Sequence, residues 1–153
     1  MDFKTVKDVI EFAIRKEDAS APFYHDMAAL MKDSTTRISF EVIGRNEMQH
    51  KSSLEFELIK QGQVVTEERF NISDEPASYI EVDEQTQSMT YTDALQLAIR
   101  KEQAAFQLFA ELMVQAKDPQ LRKMFFELAQ EEMRHVLQFE NEYNSIVPKK
   151  QQD

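Results

Sequence analysis

The sequence contains no cysteine. That excludes disulfides, thiolate zinc sites, iron–sulfur ligation and a cysteine nucleophile. Glycine occurs twice and proline four times in 153 residues. Sandwiches and barrels, which need a tight turn every ten residues or so, are disfavoured. The Gly-rich phosphate loops of nucleotide sites are excluded outright. No apolar run approaches the ~18 residues of a membrane span, so no membrane partner is expected. The first residues, Met1-Asp2-Phe3-Lys4, carry charges where a signal peptide would be apolar, and the expected compartment is the cytoplasm. Basic residues are also few. Lys and Arg number 18 against 28 Asp and Glu, a net charge of −10 that argues against nucleic acid and favours cations as partners. The length suits one domain with an adequate core.

The chain repeats itself. Shifted by 85 residues, Thr5–Lys60 lies over Thr90–Ser145 without a gap, and 17 of 56 positions are identical. Roughly four identities are expected by chance at ordinary composition. The pentamer Ala-Ile-Arg-Lys-Glu stands at 13–17 and again at 98–102. Two copies are too few for a solenoid. They predict two similar halves facing each other about a pseudo-twofold axis.

Each half reads as two helices with apolar residues at three-and-four spacing. Helices are expected over 5–31, 34–61, 91–117 and 119–146, each about 40 Å long at 1.5 Å per residue. Thr5 with Asp8, and Thr90 with Asp93, resemble capping boxes. Asp33 and Asp118 mark the turns within the halves, and Asp118-Pro119 suits an N-cap followed by proline at N1. Residues 62–90 hold Gly62, Pro76 and many acids, with no sustained helical period. They are expected to form the long crossover that lets the third helix run parallel to the second, a span that ~3.3 Å per residue covers easily. The expected fold is therefore all-α: a ferritin-like four-helix bundle with one long crossover between helices 2 and 3. In domain terms, residues 1–147 form the bundle, with halves 5–60 and 90–145 and the crossover at 62–90. Residues 148–153 read as a frayed tail.

Charged residues interrupt the apolar stripes. Glu17, Glu47, Glu102 and Glu132 sit mid-stripe, and His50 and His135 follow Glu47 and Glu132 by three. Positions i and i+3 are neighbours on a helix, so each Glu-x-x-His pair can present an oxygen and a nitrogen to one ion. Glu17 and Glu47, like Glu102 and Glu132, are equidistant from the turn between their helices, which places all four carboxylates at one level. Burying four ionised carboxylates would cost on the order of several kcal/mol each without counter-charge. No Lys or Arg lies in the stripes; Arg15, Lys16, Arg100 and Lys101 are expected to point away by 100° or more. Two divalent cations neutralise four carboxylates, and so do two ferric ions sharing one oxide. The donors predict a dinuclear metal site, of iron or manganese rather than copper.

This set of residues resembles that of the ferritin-like di-iron carboxylate proteins, in their rubrerythrin and bacterioferritin branch. The resemblance covers about 5–146. It implies two iron ions reacting with dioxygen or peroxide, as ferroxidase or peroxidase. Glu17 and Glu102 correspond to terminal carboxylates, Glu47 and Glu132 to bridging ones, and His50 and His135 to terminal imidazoles. Rubrerythrins usually carry a Cys₄ iron domain as electron donor. Without cysteine, this chain needs an external electron-donor protein. Rubrerythrins also place a further Glu three residues after that of the third helix, where this sequence has Ala105. The six-ligand set is closer to bacterioferritin, but no fifth helix follows, and a storage cage is not expected. The alternative is iron binding and handling without turnover. A homodimer is expected by analogy.

Tyr24 lies seven residues past Glu17 on the same face and is a candidate to bond a ligand carboxylate; its repeat counterpart is Phe109. Met48 stands where bacterioferritins present a haem ligand, but it reads as a packing residue, and haem is not expected. His25 reads as a surface residue, and Pro22 as a place where the first helix can kink. Asn46 and Glu131, each preceding a bridging glutamate, are candidates to support the ligands.

Overall fold

The computed structural model describes residues 1–62, 67–73 and 89–147. Four long helices form the bundle: α1 (Val6–Leu30), α2 (Ser34–Gln61), α3 (Tyr91–Gln115) and α4 (Pro119–Ile146). The expected boundaries agree within two residues. Among the described residues, no helix is long and apolar enough to cross a membrane. The remaining crossover residues, 63–66 and 74–88, and the tail 148–153 lie outside the described residues.

The caps show why the helices start where they do. Thr5 Oγ1 accepts from Asp8 N at 3.1 Å, and Thr90 Oγ1 accepts from Asp93 N at 3.2 Å. Asp33 accepts from Thr36 N at 3.0 Å, and Asp118 from Gln120 N at 3.2 Å. Each satisfies an amide that the helix itself leaves open. Pro22 lies within α1, which runs on through it. Within each half the helices pack closely, α1 on α2 and α3 on α4. Small residues permit this in both halves. A Cβ on Gly44 would stand 3.4 Å from Tyr24 Cβ, and its repeat counterpart is Ala129.

One element was not expected. Strand β1 (Asp2–Thr5) pairs antiparallel with β2 (Glu67–Asn71), with Phe3 opposite Phe70. The pairing continues beyond the strands, where Ile72 N donates to Met1 O at 2.8 Å. Alternation accounts for β2. Glu68, Phe70 and Ile72 are buried, while Arg69 and Asn71 are exposed. The Gln115 side chain holds the Asn71 backbone in both directions at 2.7 Å. Residues 67–73 thus lie against the bundle, and Phe70 and Ile72 join the core.

The core is two apolar clusters. One holds Val9, Ile10, Leu54, Phe109, Leu112, Leu121 and Phe125 among others. The second holds Phe23, Tyr24, Met27, Phe40, Leu95 and Phe139. The six mid-stripe residues form the polar layer between them. In the second cluster the Phe40 and Phe139 rings lie 5.3 Å apart, and Tyr24 stacks on Phe139 at 6.0 Å. Phe139→Ala empties a fully buried site and is expected to cost about 3–5 kcal/mol, measured by chemical denaturation of the metal-free protein.

Candidate metal centre

Each helix contributes to one buried layer: Glu17 from α1, Glu47 and His50 from α2, Glu102 from α3, Glu132 and His135 from α4. All six are at most 5% exposed. They form two overlapping groups whose donor atoms lie within 4.8 Å of one another. One is Glu17, Glu47, His50 and Glu132; the other is Glu47, Glu102, Glu132 and His135. Glu47 and Glu132 belong to both.

The histidines make the division sharper. His50 Nδ1 lies 3.7 Å from Glu17 Oε2, 3.9 Å from Glu47 Oε2 and 2.9 Å from Glu132 Oε1. His135 Nδ1 lies 3.3 Å from Glu47 Oε1, 3.6 Å from Glu102 Oε2 and 3.7 Å from Glu132 Oε2. Each shared glutamate therefore turns one oxygen toward each histidine. The imidazole rings are 6.2 Å apart and within 19° of parallel.

Buried polar atoms without a partner mark the same place. Among the described residues, those lacking a hydrogen bond are Glu17 Oε2, Glu47 Oε1, His50 Nδ1, Glu102 Oε2, both Glu132 oxygens and His135 Nδ1. All belong to the six residues. His50 Nδ1 is close to Glu132 yet makes no well-directed hydrogen bond, as expected of atoms converging on a common point rather than on each other. Orphaned donors of this kind are rare in a folded core and call for an explanation such as an ion. Oxygen and imidazole donors in two overlapping sets fit a pair of hard or borderline divalent ions.

Without metal, protons supply the counter-charge. Burial pushes the Glu47 and Glu132 carboxyls well above their ordinary range, and repulsion from Glu102 adds to it. Burial also raises Glu17, with repulsion from Glu132 second. Glu102 goes the other way, to about 2; burial opposes its charge, but the close approach of Glu132 and His135 and the hydrogen bond from Tyr24 prevail. Burial works against charge on His50 and His135, yet their carboxylate contacts push both up to about 12.

The outer nitrogens of the histidines reach across to the opposite half. His50 Nε2 hydrogen-bonds the Glu131 carboxylate, and His135 Nε2 lies 3.3 Å from the Asn46 amide. Tyr24 donates its hydroxyl to Glu102 Oε1. Met48 and His25 are exposed. A groove of about 620 Å³ beside Phe56, Lys60 and Lys123 contains none of the six residues.

The lysines correct the expectation from helical angles. Lys101 is buried, its ammonium over the Phe23 ring at 5.3 Å, and Lys16 is half-buried over Phe12 at 5.2 Å. Burial, then the charge of Lys101, lowers Lys16 to about 7. Both line a small cavity with Glu17, Ser20 and Ala105. Their long apolar stems fold along the seam between α1 and α3, which an angle measured at Cα does not describe.

The family model for rubrerythrin matches residues 93–152. That segment is similar to rubrerythrin. The match covers α3 and α4, with Glu102, Glu132 and His135; their repeat counterparts Glu17, Glu47 and His50 lie in α1 and α2, outside the match. A hypothetical protein from Pyrococcus furiosus shares the fold, with a TM-score of 0.69 at 20% identity, over 90% of this chain and 87% of that one. No curated protein matches the chain.

Proposed function

We propose that the chain is a di-iron protein that takes two irons into the bundle core and reacts with dioxygen or peroxide, as ferroxidase or peroxidase. The observation that carries this reading is the division of the Glu47 and Glu132 oxygens between two histidine-bearing donor sets. Glu17 and His50 complete one set, and Glu102 and His135 the other. Iron, when bound, supplies the electrons for reducing dioxygen or peroxide; manganese fits the same donors. The four carboxylates balance the metal charge, and the flanking apolar clusters exclude bulk water. Tyr24 orients Glu102 through its hydroxyl. Six residues, giving four donor atoms to each of two ions, leave coordination positions open to a small oxidant.

We propose as well that its reducing electrons come from a separate donor protein in the cytoplasm, since the sequence holds no cysteine to carry an iron–sulfur or rubredoxin-type centre of its own. We also propose a homodimer, supported by exposed Ile38, Val42, Phe56 and Ile59 along α2.

Iron(II) added under oxygen is expected to give a ferric absorbance that Glu47→Ala abolishes. An unchanged response in that variant overturns the reading. Sustained turnover with peroxide and a reductant identifies an enzyme; uptake that stops at two irons per chain identifies iron handling instead.

A further inference from the structure

The internal repeat gives the two metal positions identical ligands. Glu17 pairs with Glu102, Glu47 with Glu132 and His50 with His135, each at the offset of 85. Any difference between the positions must come from what touches those ligands, and the repeat is broken there twice.

The first break lies behind the histidines. Positions 46 and 131 are repeat counterparts, but one is Asn and the other Glu. Glu131 meets His50 Nε2, and Asn46 meets His135 Nε2. A carboxylate accepting the Nε2–H makes the imidazole a stronger donor through Nδ1 and brings a further negative charge. An amide, turned to present its oxygen, accepts the same hydrogen without the charge.

The second break lies behind the terminal carboxylates. Tyr24 donates to Glu102, drawing electron density from a ligand of the His135 set. Its counterpart is Phe109, which offers Glu17 no hydroxyl. Both breaks weaken the donors of the same position.

We propose that the two metal positions are inequivalent: the one built on Glu17 and His50, backed by Glu131, binds more tightly and fills first, while the one built on Glu102 and His135 is the exchangeable position. This rests on the dinuclear reading above. It assigns Glu131, Asn46 and Tyr24 as positioning residues that set the order of loading.

The test is anaerobic calorimetric titration of the metal-free protein with cobalt(II), followed in parallel by visible absorbance. The wild type is expected to bind two ions in resolved steps. Losing the partner of a ligating histidine typically costs about 10–100-fold in affinity. Glu131→Gln, at a half-exposed site, is expected to weaken the first step by that factor and to leave the second unchanged. Asn46→Asp and Tyr24→Phe are expected to strengthen the second step and narrow the gap. Two equal steps in the wild type, or a first step indifferent to Glu131→Gln, overturn the inequivalence while leaving the dinuclear site standing. No cobalt uptake by the folded wild type overturns the dinuclear reading and the inequivalence with it.

Discussion

Anaerobic iron(II) is expected to raise the Tm of the metal-free protein by roughly 10–20 °C once both positions are saturated. Each ion held at about 100 times its Kd stabilises the native state by about 2.7 kcal/mol. In a domain of this size, 1 kcal/mol moves Tm by about 2–4 °C. The metal-free core explains why the gain is available. Its donor layer holds seven buried atoms with no hydrogen bond among the described residues, and closely spaced carboxyls held partly by protons. The unfolded chain cannot assemble donors from four helices, so binding energy goes to the native state. Differential scanning calorimetry over a range of metal concentrations measures the effect. A Tm independent of metal would remove the dinuclear reading.

The second large effect has opposite signs with and without metal. Glu132 is fully buried, and both its oxygens are orphaned. Burial, then repulsion from Glu102 and Glu47, holds its folded-state pKa well above the unfolded value. A group raised in this way contributes its stability below its unfolded pKa, near 4.5, and loses it as pH rises toward the folded value. At neutral pH the metal-free wild type therefore carries a penalty that Glu132→Gln removes. The variant is expected to be more stable than the wild type without metal by about 1–4 kcal/mol at pH 7. The difference should shrink as pH falls toward the ordinary carboxylate range. With metal the order reverses, because the variant loses a carboxylate shared by both positions and its metal-induced Tm shift disappears. Urea denaturation at pH 5 and pH 7, with and without iron(II), reads all four conditions. A variant less stable than the wild type at pH 7 without metal would show that the Glu132 contacts with His50 and His135 outweigh its desolvation. This is the familiar exchange in which a site assembled for a ligand costs stability until the ligand arrives.

Several features of this protein were legible from spacing alone. Glu and His three residues apart share a helix face whatever surrounds them, because the helical period is a local property. Glu17 and Glu47 reach one level because they are equidistant from a short turn. The caps at Thr5, Asp33, Thr90 and Asp118 were readable for the same reason, since each bond spans two or three residues. The β strand over 67–71 left a weaker signal, an alternation in Glu68-Arg69-Phe70-Asn71-Ile72. Five residues of alternation become a strand only when a partner is present, and that partner is the N-terminus.

Sequence by itself determined the repeat, the four helices, the acidic layer and the six residues that populate it, because these depend on period and on distance from a turn. Tertiary structure alone decided which half each outer contact comes from. His50 finds Glu131, His135 finds Asn46, and Tyr24 finds Glu102, each across the bundle and more than 75 residues away in the chain. Helical angle likewise assigned Lys101 away from the core, whereas packing of α1 on α3 folded its stem inward. Which residues share a face is a property of one helix, but what each of them touches depends on the face packed against it, and that is decided only when the two halves meet.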